Sequence, residues 1–165
     1  MTTQTLARPR RSAWRLSPRA RRAILTTHIV ASVGLLGDCA AVLATAIRAA
    51  TTDDRELAAS AYELMSMFSF VFGIPLSFAA LGTGLALGLG SKWGVLRHGW
   101  VLAKLLVIVS VILVGAFVIG PSEAAMTDGD GGRETVLIVA PAYQVLALCV
   151  TTGLSVYKPR RRAGR

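Results

Sequence analysis

Four long apolar stretches divide the chain, at about Ala23 to Ala50, Ala59 to Leu89, Gly99 to Gly120 and Thr135 to Tyr157. Each reaches or exceeds the roughly 20 residues that a helix needs to cross a ~30 Å hydrocarbon layer. A helix in a water-soluble core would keep a polar face at helical spacing, whereas Val101 to Ile119 has only Lys104 and Ser110 as polar side chains. The pattern predicts an all-α, polytopic membrane protein: a four-transmembrane-helix bundle over residues 23–157, with basic tails at 1–22 and 158–165. Charged residues make up 16% of the chain, against about a quarter in soluble domains. That composition excludes a disordered chain and a disulfide scaffold. It also argues against nucleic acid as a partner, because a basic nucleic-acid-binding domain would expose Lys and Arg along one face.

The net charge of +9 is segregated by segment. Arg8, Arg10, Arg11, Arg15, Arg19, Arg21 and Arg22 precede the first stretch, Lys92 and Arg97 separate the second from the third, and Lys158, Arg160, Arg161, Arg162 and Arg165 follow the fourth, with no acidic residue among them. The other two connections hold Arg48, Arg55 and Arg133 against Asp53, Asp54, Glu56, Glu123, Asp128, Asp130 and Glu134. Positively charged segments stay on the cytoplasmic side, which predicts cytoplasmic N- and C-termini and a multi-pass protein of the bacterial plasma membrane. The lipid bilayer is then the first partner, with anionic head groups drawn to the basic tails at about 1 kcal/mol per residue near the surface. The apolar run from Ala23 to about Ile47 exceeds the roughly 7–15 residues of a signal-peptide core, so the N-terminus is read as uncleaved. Trp93, Trp100 and Tyr157 fall near the inner interface and Tyr62 near the outer one.

Ionisable side chains at membrane depth are costly and mark ion paths, cofactor sites or partnered structural contacts. His28 and Asp38 lie on the first span, Glu63 opens the second and Lys104 lies on the third. At ~1.5 Å of rise per residue His28 and Lys104 reach similar depths from the cytoplasmic side, and with Trp100 they define a candidate cofactor layer. Asp38 lies near mid-membrane on a stripe of small and hydroxylated residues, Thr27, Ala31, Gly34, Ala41 and Thr45. On the fourth span Ala140, Gln144, Ala147, Thr151 and Ser155 form a comparable stripe. The expectation is a Gln144 amide hydrogen-bonded to the Asp38 carboxyl, with Glu63 completing a proton or ion path. The structural alternatives are a polar clasp between two helices, a Lys104 that extends to the interface and a neutral His28 donating to a carbonyl.

Other motifs carry less. Met65 and Met67 are two apart and cannot face one site on a helix, and position 12 counted from Asp128 is Val139 where a calcium loop needs Glu. Gly84 and Gly88 form a GxxxG pair for close helix packing, within the chain or in a homo-oligomer. Pro75 and Pro141 lie inside the second and fourth spans, where each removes a backbone hydrogen bond. Cys39 and Cys149 fall at different depths, which disfavours a disulfide between them. No Ser/His/Asp set, phosphate-binding loop or metal-ligand cluster is evident, which favours a non-catalytic protein.

The run from His28 to Gly37, with Lys92-Trp93-Gly94-Val95-Leu96-Arg97-His98-Gly99-Trp100-Val101-Leu102-Ala103-Lys104 opening the third span, resembles an uncharacterised family of small four-helix bacterial membrane proteins. The chain is also similar, more distantly, to the membrane domain of copper-resistance D-type proteins and to the J-type protoporphyrinogen oxidase. The last resemblance implies a haem site at the first-helix His28, as iron ligand, and the third-helix Lys104. Three readings follow: a non-catalytic accessory protein with a haem b pocket near the inner leaflet; a proton-coupled small-solute or ion transporter, or its subunit, using Asp38; and a membrane haem-dependent oxidoreductase.

Overall fold

A computed structural model of the chain describes residues 17–89, 99–128 and 132–156. It contains four helices long and apolar enough to cross a membrane: α1 (Pro18–Ala50), α2 (Arg55–Leu89), α3 (Val101–Met126) and α4 (Glu134–Ser155). Residues 1–16 and 157–165 of the tail regions, the Lys92/Arg97 connection and the side chain of Trp100 lie outside the described residues.

Local chemistry explains where the helices begin. Ser17 is extended and its hydroxyl accepts the Ala20 amide at 3.2 Å, with Pro18 in the first helical position, so α1 starts within the segment read as the N-terminal tail. Asp54 caps α2 by accepting from Glu56 and Leu57 at 2.9 and 3.2 Å, moving that start outward from Ala59. Further along, α3 outlasts its expected end at Gly120 because Pro121 is absorbed by a widened turn. The third helix thereby takes in Glu123, which the charge pattern had placed in an outer loop.

Two hydrophobic clusters hold the bundle together. The outer one contains Val42, Ala46, Tyr62, Met65, Ile119 and Leu137, and the inner one Leu35, Cys39, Val111 and Leu148. The buried row of α1 runs Ala31, Leu35, Cys39, Val42, Ala46, Ala49. Asp38 therefore stands on the flank of the row, and Thr27 of the expected stripe is exposed. Large apolar side chains cover the outside, among them Phe70 (72% exposed) and Phe117 (74%), as a lipid-facing surface requires. Both cysteines are free.

Candidate functional site

Prolines create the site. Pro75 has no amide hydrogen and its ring collides with the carbonyl four residues back, so an α-helical ladder cannot pass it unchanged. In α2 the helix widens just before it: Ser69–Gly73 is a π-helical turn, in which the Ile74 amide reaches the Ser69 carbonyl. The third helix repeats the device. Gly115–Ile119 is a second π turn just before Pro121, with the Gly120 amide bonded to the Gly115 carbonyl. The two segments are alike in sequence, Phe70-Val71-Phe72-Gly73-Ile74-Pro75 and Phe117-Val118-Ile119-Gly120-Pro121. Pro141, by contrast, stays inside a continuous α4.

Each wide turn seats a polar side chain from another helix on a glycine. A Cβ added to Gly73 would stand 2.8 Å from Asp38 Oδ2, and one added to Gly115 would stand 3.6 Å from Gln144 Nε2. Helix side chains lean toward the N-terminus of their own helix. The Glu123 carboxylate thus reaches back toward the first π turn, where it accepts a hydrogen bond from Ser69 Oγ at 3.0 Å. Glu123 is 2% exposed. At the same turn Asp38 Oδ1 is sealed from solvent and has no hydrogen-bond partner. Ser69–Gly73 therefore receives two acids, Glu123 held by Ser69 and Asp38 lodged against Gly73.

The expected Gln144–Asp38 bond does not form. Gln144 is buried, as its stripe implied, but its amide donates to the Val111 carbonyl at 3.0 Å, because it faces α3 while Asp38 faces α2. Glu63 is exposed on the outer part of α2 and does not join the carboxyl pair. In the inner half His28 Nδ1 lies 3.1 Å from the Ala80 carbonyl and 3.0 Å from Thr83 Oγ1. A carbonyl can only accept, so Nδ1 is the donor and Nε2 of the neutral ring keeps its lone pair. Gly84 makes the approach possible, since its Cβ would stand 3.1 Å from the imidazole Cε1; this glycine serves packing within the chain. Lys104 Nζ donates to Ser155 Oγ at 2.7 Å. The two side chains of the expected layer, His28 and Lys104, share no hydrogen bond among the described contacts. They are held by different helix pairs, His28 against α2 and Lys104 against α4.

Glu123, Ser69 and Gly73 escaped the sequence reading. The signal that could have found them is the repeated Phe-Val, Gly, Pro run, which marks Pro121 as an intramembrane proline like Pro75. Among the described residues no group of three or more His, Cys, Asp or Glu side chains is placed to hold a metal ion.

These features define an integral membrane protein with four spanning helices, in which a buried Glu123 and a half-buried Asp38 meet one π turn. The chain belongs to the family described as "Predicted integral membrane protein (DUF2269)", whose family model matches residues 22–130. That match takes in both π turns, Asp38, Glu123, His28 and Lys104, and ends before Gln144. No curated protein and no solved structure matches the chain. The likeness to copper-resistance D-type proteins and to the J-type oxidase is not carried by these findings.

Proposed function

We propose that this chain is a proton-handling membrane protein, a proton-coupled transporter of a small solute or ion or a subunit of one, in which the Asp38 and Glu123 carboxyls take up and release a proton. One observation supports it above the others: a sealed carboxyl oxygen without a partner on Asp38, at the π turn whose Ser69 holds a second carboxyl that is 2% exposed. Ionisable groups at membrane depth are expensive and persist where they bind or relay ions. Glu123 lies about 5 Å below the outer end of α3 and Asp38 about 18 Å below that of α1, at ~1.5 Å per residue, which sets the order of transfer from outside as Glu123 and then Asp38. Wide π turns recur at functional sites, and here one seats both carboxyls.

Proteoliposomes with an entrapped pH-sensitive dye test the reading. An imposed pH gradient is expected to collapse faster with the wild-type protein than in empty vesicles, and Asp38→Asn or Glu123→Gln to return the rate to that of empty vesicles. Flux that ignores both substitutions, or no wild-type flux, overturns it.

A second reading, an accessory protein with a haem-type cofactor, is favoured by the His28 geometry alone. Metal-ligating histidines commonly donate their other ring nitrogen to a backbone carbonyl, as Nδ1 does here to Ala80. His28 would supply the ligand through Nε2, and the bound haem would supply one-electron chemistry. On this reading the detergent-purified protein shows a Soret band that His28→Ala removes; a wild-type spectrum without that band ends the reading.

A further inference from the structure

The outer ends of α1 and α2 leave a groove of about 350 Å³ in the seam between them. Its walls are Ala44 and Thr45 from α1 and Leu57, Ala61 and Leu64 from α2, with Arg48 at the mouth. We infer that this groove binds one glycerophospholipid of the outer leaflet, its phosphate on the Arg48 guanidinium and a segment of acyl chain along the apolar walls. The inference is independent of the carboxyl pair and goes beyond the proton-handling reading.

The geometry supports a lipid. On α2, Leu57, Ala61 and Leu64 recur at helical spacing and line about 10 Å of one face, at ~1.5 Å per residue. Leu57 and Leu64 are 38% and 46% exposed, so the groove opens sideways toward the hydrocarbon. Its volume equals about a dozen water molecules at ~30 Å³ each, room for part of one chain but not for a folded partner.

Charge chooses the head group. Arg48 is in the last turn of α1, at the level of the outer interface where lipid phosphates lie. Its guanidinium makes no ion pair among the described residues. The nearby Asp54 carboxylate is committed to the Glu56 and Leu57 amides. The hydroxyl protons in the lining are also committed, Thr45 to the Ala41 carbonyl at 2.8 Å and Ser60 to the Glu56 carbonyl at 2.9 Å. Arg48 is thus the donor left to meet an anion, and a planar guanidinium matches a phosphate through paired N–H groups.

Native mass spectrometry of the full chain released from detergent micelles tests this with phosphatidylglycerol and with a diacylglycerol of the same chains as probes. The wild-type protein is expected to retain one phosphatidylglycerol and to bind the phosphate-free lipid more weakly. Arg48→Gln is expected to weaken retention about fivefold, the worth of one basic residue near an anionic surface. Ala44→Trp, which fills the groove and leaves Arg48 in place, is expected to weaken it at least as much. Ala44 and Arg48 are exposed, so both variants keep the bundle. Equal retention by the wild type and Arg48→Gln overturns the inference, because the lipid then sits on the basic tails. Full retention by Ala44→Trp, or equal binding of the two lipids, overturns it as well.

Discussion

Gly73→Ala destabilises the bundle by about 1–3 kcal/mol, the usual cost of forcing an extra methyl group into a packed interior. The new Cβ would stand 2.8 Å from Asp38 Oδ2, closer than carbon and oxygen tolerate, and the Phe68 carbonyl at 3.8 Å bounds the other side. Either the Asp38 carboxylate swings away or α1 and α2 separate. Combining the substitution with Asp38→Ala removes the obstructing atom, and the double variant is expected to regain most of the lost stability. An alanine also restricts the unfolded backbone more than a glycine does, an effect of about 0.4–1 kcal/mol in its favour. Thermal and SDS-induced unfolding in micelles, compared over the four members of the cycle, give the coupling between the two positions. If Gly73→Ala costs the same with and without the Asp38 carboxyl, the carboxyl does not rest on the π turn.

Ser69→Ala is the second large expected effect. Its hydroxyl donates to a carboxylate oxygen of Glu123 at 3.0 Å, in a place where Glu123 is 2% exposed and water cannot substitute. Hydrogen bonds to charged groups are worth about 1.5–3 kcal/mol and those between neutral groups about 1 kcal/mol. The expected loss lies between about 1 and 3 kcal/mol, and its position within that range reports the charge on Glu123. In a Glu123→Gln background the same substitution is expected to cost about 1 kcal/mol, because the amide oxygen accepts as a neutral partner. Ser69→Ala without any loss in the same unfolding assays would show that Ser69 does not hold Glu123. Gly73→Ala and Ser69→Ala address the two ends of one π turn, so together they separate the seat of Asp38 from the anchor of Glu123.

Much of the architecture was legible in the chain because the membrane imposes it locally. Every backbone polar group in hydrocarbon must be satisfied within its own segment, so apolar length alone announces a helix. The four spans were found in this way, with boundaries that moved only where a cap or a proline intervened. Ser17 and Asp54 brought two helix starts outward from the apolar stretches, since polar capping side chains precede the first apolar residue.

Site residues were legible in proportion to how local their partners are. The place of His28 in an apolar helix could be read from the chain, whereas its partners Ala80 and Thr83, more than 50 residues away, could not. Gln144 was recognised as a buried polar group, and its acceptor was mistaken because the Gln144 amide faces Val111 on α3 while the Asp38 carboxyl faces Gly73 on α2. Glu123 was missed outright. A Gly-Pro pair followed by Ser-Glu reads as the end of a helix and the start of a polar loop. Only the packing of α3 against α2 allows the helix to widen at Gly115–Ile119, continue through Pro121 and carry its carboxylate inside to Ser69.

The sequence by itself determined that the chain crosses the membrane four times, where its positive charge accumulates and that Asp38 lies at membrane depth. Those properties follow from apolar length, charge distribution and helical rise, which act within a segment. The tertiary structure alone decided that Asp38 is lodged on Gly73, that Glu123 is held by Ser69 on the same turn, and that Arg48 looks over a groove. Contacts between helices depend on how wide turns and small residues bring separate faces together, and no single segment encodes them.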